Sequence, residues 1–140
     1  MKDEIRINNI KFWVNRNVIY CKLDDSSNVD YSDTGIEDLF YEAISMLSDG
    51  TYLPVIFDFR EIHIGLSVKL FRLLSNNVKI KSIVLSKAFL IKNYKHKMLL
   101  SFYVMFSDSN VPNLIFKDPN LAIQYSNQNY AIFNSVTYDN

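Results

Sequence analysis

The residues with the greatest chemical capacity are crowded into one stretch, YLPVIFDFREIHIGLS at residues 52–67. An apolar run ends there in Asp58, and Arg60, Glu61, His63 and Ser67 follow, His63 being one of two histidines in the chain. A carboxylate, a guanidinium, an imidazole and a hydroxyl so close together could move protons, bind a cation or carry a phosphoryl group. Each also has a plainer role. Asp58 can accept backbone N–H bonds from its own loop, or pair with Arg60 or a lysine. His63 can be a half-exposed loop residue, and Ser67 can cap the helix that follows. The plainer roles are the expectation, because the partners that catalysis needs are not in view.

Neither histidine has a nucleophile partner legible in the sequence, so triad chemistry has no support. His96, between Lys95 and Lys97, is expected to face solvent. Cys21 is the only cysteine, which leaves a zinc site short of ligands and excludes an intramolecular disulfide. Three isolated glycines build no phosphate-cradling loop. A phosphoryl acceptor of the receiver type needs an acidic pair at an earlier strand end, and Asp24 and Asp25 could supply it. The N-terminal hairpin and the long interval to Asp58 oppose that reading. No catalytic set, metal or cofactor is therefore expected.

The chain is 49% apolar and 14% aromatic, enough to bury a real core and too much for a disordered segment. With 140 residues it reads as one domain, 1–140, with a core over about 5–128 and a tail from 129. MKDEIRINN places acids where a signal peptide needs an apolar stretch, and no run is long enough to span a bilayer. A cytoplasmic protein is expected. Net charge is zero, yet no Asp or Glu occurs between Ile62 and Ser107, where Lys69, Arg72, Lys79, Lys81, Lys87, Lys92, Lys95 and Lys97 lie. These cations are spread over separate elements without interleaved aromatics, so a nucleic-acid platform is not expected.

Period and punctuation give the elements that must position these groups. IKFWV and VIYCKL flank the polar NRN and predict a hairpin within residues 5–23. Ile36, Leu39, Phe40, Ala43, Ile44 and Leu47 form one helical stripe, with Thr34 and Glu37 at capping-box spacing and Gly50 at the end. LPVIFDF lacks alternation and predicts a strand covered on both faces. A helix from about Ser67 to Asn76, the strand SIVLSKAFLI and a helix from about Tyr94 to Phe106 follow. The second half of that helix, apolar nearly all round, is either deeply buried or a self-association surface. NLIFK is a short strand, and Asp118 with Pro119 opens the last helix. The tail, with Tyr130, Ile132 and Phe133, adds an edge strand or docks on the body. Strands alternating with helices predict a largely parallel, open α/β sheet of about five strands, with the hairpin adding antiparallel pairing.

This order, with YLPVIFDFREI, resembles the SpoIIAA-like, or STAS-like, α/β domains, and more closely a group of small bacterial proteins of that fold. The match runs through Pro54, Val55, Ile56, Phe57, Asp58, Phe59 and Arg60, then SIVLSKAFLIKNYKHKMLLSFYVMF, then Pro112, Leu114, Ile115, Phe116, Asp118, Ala122 and Tyr125. It covers about residues 5–128. The resemblance implies a domain that is not an enzyme and that binds protein, either itself as a homodimer or a regulatory partner. It also implies a candidate phosphoacceptor near Leu66–Ser67. There the antagonist pattern D-S-S-G is replaced by GLSV, which keeps Ser67 but lacks the acid and the following glycine. A related fold forms the lipid-binding lobe of Sec14-like proteins, so an apolar ligand between helices and sheet is the alternative.

Overall fold

The computed structural model describes residues 4–8, 10–24, 35–104 and 111–138. Thr34, Asp25, Met105 and Phe106, to which the readings above assign roles, lie outside them. Eleven elements follow in order: β1 Glu4–Ile7, β2 Ile10–Asn15, β3 Val18–Asp24, α1 Gly35–Ser48, β4 Leu53–Glu61, α2 Ile64–Asn76, α3 Val78–Lys81, β5 Val84–Leu90, α4 Tyr94–Val104, β6 Asn113–Phe116 and α5 Pro119–Tyr138.

The six strands form one mixed sheet in the order of the chain, β1 to β6. The first three are antiparallel and the last three add in parallel. The expected hairpin is thus a three-stranded meander, and the sheet has six strands rather than about five. The β2–β3 turn is a two-residue loop, Arg16 (φ 50°) and Asn17 (φ 64°), between paired Asn15 and Val18. Two positive φ values in succession match the twist of a tight hairpin. In β4 the register shifts between Leu53 and Val55, beside Pro54, which has no N–H to give the ladder.

Three successive parallel crossovers step across the sheet in one direction. The right-handed rule therefore puts their helices on the same face. That face holds the main core. Ile10, Phe12, Ile19, Cys21, Val55, Phe57, Phe59 and Phe89 meet Phe40 and Ile44 of α1, Leu70 and Phe71 of α2, Ile80 of α3 and Leu100 of α4. Its centre is aromatic: Phe57 stacks on Phe89 at 5.0 Å, and Phe71 meets Phe89 edge-on at 4.6 Å. The opposite face carries α5, which lies over β4 and β5 and reaches β3 and β6. Beneath it Val18, Ile56, Ala88, Leu90 and Ala122 make a much smaller core. Residues 129–138, expected as a tail, continue α5. No described helix is long and apolar enough to cross a membrane.

Candidate functional site

Asp58 and Arg60 lie two residues apart on β4, so the pleat turns both to the α5 face. The Arg60 guanidinium grips the carboxylate by two bonds, Nε to Oδ1 at 3.0 Å and Nη2 to Oδ2 at 2.8 Å. The Arg60 backbone N–H also donates to Oδ1 at 3.1 Å. This forked, charge-assisted geometry is the strong form of a carboxylate–guanidinium pair. The bond to Asp58 raises the Arg60 pKa further above its ordinary value, against the opposing effect of burial. Asp58 is thus held by its own strand exit.

The helix after β4 begins at Ile64, not Ser67. Its N-cap is His63, whose Nδ1 accepts the Leu66 N–H at 3.2 Å. Ser67 already donates its backbone N–H to the His63 carbonyl at 3.0 Å, inside the first turn. Its side chain is fully buried, and Oγ has no hydrogen-bond partner among the described residues. A phosphoryl group cannot reach that oxygen without displacing the turn. Gly65 leaves room for the capping ring, since a Cβ there would stand 3.3 Å from Nδ1.

His96 is half-buried rather than solvent-facing, and its backbone N–H donates to the Asn93 side chain at the start of α4 at 3.1 Å. With His63, Arg60, Glu61 and Lys92 it lines a shallow cleft of about 350 Å³ at the carboxyl ends of β4 and β5. Open α/β sheets bind ligands at that edge. Among the described residues no three His, Cys, Asp or Glu side chains gather as a metal site.

A second cleft, on the α5 face, follows from strand register. Trp13, Tyr20, Ile56 and Ala88 fall in one row across β2 to β5, and Lys11, Lys22, Asp58 and Leu90 fall in the next. α5 stops short of β1 and β2. The space between its first turns and the Tyr20 side of the row is a cleft of about 190 Å³. Trp13 and Tyr20 line it as stacked rings, with centres 5.1 Å apart and planes 8° from parallel. Ile56 and Leu90 line it beneath, Pro119 and Ile123 face the rings from α5, and Lys22, Asp58 and Arg60 close one end. Lys11 lies 5.1 Å from the Trp13 ring centre, over its face. Burial raises the Tyr20 phenol pKa, partly offset by Arg16, so the hydroxyl stays protonated. The cleft lies below the ~300–1,000 Å³ typical of drug-sized ligands, too small for an acyl chain.

Lys87 escapes the sequence patterns. It is fully buried on the main face of β5, where Nζ donates to the carbonyls of Ser75 at 2.9 Å and Leu74 at 3.4 Å, at the end of α2. These carbonyls belong to the last turn of the helix, where a cation is favoured. Burial, helped by Lys81, still lowers its pKa to about 8. A lysine inside the apolar SIVLSKAFLI was the available signal. Lys79, by contrast, is exposed and meets Asp38 of α1 at 3.7 Å.

No match was found among curated proteins or among solved structures. One family model, described as Domain of unknown function (DUF7793), matches residues 12–129, which include all of β3 to β6, both clefts and most of α5. With most of its length matched, the chain belongs to that family.

Proposed function

We propose that the chain is a non-catalytic, cytoplasmic STAS-like interaction module that self-associates through α4. The observation that carries this reading is the outer surface of that helix. Tyr94, Met98 and Phe102 recur every fourth residue and are 62%, 59% and 56% exposed, with Leu99 at 40% beside them. Of the described residues of α4 only Leu100 is buried. Such a stripe on a helix already docked by its other side marks a contact surface. A two-fold axis through Met98 would set Tyr94 of one copy against Phe102 of the other. Lys95 would then face Ser101, so the lysines of the first turns meet an uncharged stretch and no like charges oppose.

Two further points support the reading. The order of an antiparallel N-terminal unit followed by β–α repeats is the one that the STAS-like resemblance implies. The side chains best equipped for chemistry are engaged otherwise: Asp58 by Arg60, His63 by the α2 amide and Ser67 within the core. The test is the mass in solution. Sedimentation equilibrium should give a dimer for the native chain and a monomer for Met98→Glu, with both circular dichroism spectra alike. A native chain that stays monomeric at hundreds of micromolar refutes self-association.

A further inference from the structure

The cleft under the edge of α5 uses none of the α4 residues, and its chemistry is asymmetric. One wall is a pair of parallel aromatic rings, the facing wall is Pro119 and Ile123, and Ile56 and Leu90 lie beneath. The charged groups sit together at one end. There Lys22 and Arg60 stand with Asp58, and Glu61, bridged to Lys22, balances the second positive charge. Asp58 spends both oxygens on Arg60, and the acid that bridges Lys22 at 3.4 Å is Glu61, which does not line the cleft. The Lys22–Glu61 bridge joins side chains 41% and 55% exposed, so it is weak and exchangeable. The α5 amides are not the source of positive potential, because Asp118 already accepts the Asn120 N–H at 2.9 Å.

We propose that this cleft is a binding site for a small planar monoanion, an aromatic carboxylate. Its ring lies between the Tyr20 wall and Ile123, and its carboxylate exchanges with Glu61 for Lys22 and takes the outer edge of the Arg60 guanidinium. Three features select that class. A slot of about 190 Å³ between a flat aromatic wall and two apolar side chains admits a single ring and excludes a chain. With Glu61 swung off Lys22, two cationic side chains face Asp58 alone, which favours an anion over a cation and leaves a neutral ring without a charged partner. The Asp58 fork holds Arg60 in place before any ligand arrives, so little ordering is needed on binding.

Trp13 is the only tryptophan and stands in the wall, so its fluorescence reports occupancy directly. The probes are benzoate and its neutral isostere benzamide, titrated into the full chain. Benzoate should change the emission saturably and bind at least about tenfold more tightly than benzamide, the scale of one charge-assisted hydrogen bond. Lys22→Gln should weaken benzoate by about tenfold and leave benzamide unchanged. Ile123→Phe, which narrows the slot without touching a charge or adding a tryptophan, should weaken both, and should it fail to fold, Lys22→Gln still decides. Equal affinity for the two probes, no saturable change at ~10 mM, or an oligothymidylate that quenches Trp13 at lower concentration than benzoate would each overturn the proposal.

Discussion

The two faces of the sheet are built to different standards. On the face covered by α1 to α4, the phenylalanines at 12, 40, 57, 59, 71 and 89 are all fully buried and in mutual ring contact. On the other, one helix covers β4 and β5, and Trp13, Tyr20, Lys11 and Lys22 of β2 and β3 are left half-exposed. The cause is topological. Sequential parallel crossovers deliver every connecting helix to one side, and only the helix after the last strand is free to take the other. Stability is thereby concentrated on one side of the sheet. The filled face holds the fold, and the half-filled face can vary its chemistry without unfolding it.

The sharpest way to break that comparison is to truncate neighbours that point to opposite faces. Phe57→Ala should cost about 3–5 kcal/mol, the range for a large aromatic removed from a packed interior. Ile56→Ala, one residue earlier, should cost about 2 kcal/mol, the low end for its type, because the cleft beside it is open to water and no sealed cavity forms. Urea denaturation of both variants measures the difference. Equal costs would mean that the α5 face is as tightly packed as the other.

The second test asks what a charge costs on the filled face. Lys87 has a folded pKa of about 8 against an ordinary 10.5, because burial disfavours the ammonium. Below pH 8 the lysine is protonated in both states and its penalty is fully present. Between pH 8 and 10.5 the unfolded chain binds more protons than the folded one, so stability gained from this group rises with pH. The unfolding free energy of the native chain, measured relative to Lys87→Met, should therefore climb by about 3 kcal/mol across that window. Referring to Lys87→Met cancels tyrosine ionisation. A flat difference would mean that the carbonyls of Leu74 and Ser75 offset the burial completely.

Much of the filled face is legible in the sequence, because local pattern and tertiary role agree there. The stripe from Ile36 to Leu47 has helical period in the sequence and is a helix in place, and the unbroken LPVIFDF is a strand buried on both sides. Features that depend on partners are harder to read. β1 is four residues with only Ile5 and Ile7 directed inward, and it exists because β2 completes its ladder. The start of α2 is displaced because Ser67, the better cap by type, is drawn into the core while His63 turns its ring onto the Leu66 amide. The apolar second half of α4 predicts burial and exposure equally well, since periodicity carries little information when nearly every position is apolar. The Trp13–Tyr20 wall depends on cross-strand register, which the turn at Arg16 and Asn17 sets. Asp58 and Arg60 share a face by simple alternation, but which of Arg60 and the lysines would take the carboxylate needed the fold.

The smallest expected effect tests the open face itself. Trp13→Leu removes the stack on Tyr20 and the contact with Lys11, both at the edge of solvent. An exposed aromatic pair contributes about 0.5–1.5 kcal/mol beyond area, and a leucine retains part of the apolar cover. The loss should therefore stay near 1 kcal/mol by urea denaturation, well under that of Phe57→Ala. The largest side chain on β2 would then be nearly dispensable for folding. A loss of 3 kcal/mol or more, on the scale of a buried aromatic, would place Trp13 in the core and remove the division of labour between the two faces. A small loss leaves the fold without need of the ring, as the division between the two faces requires.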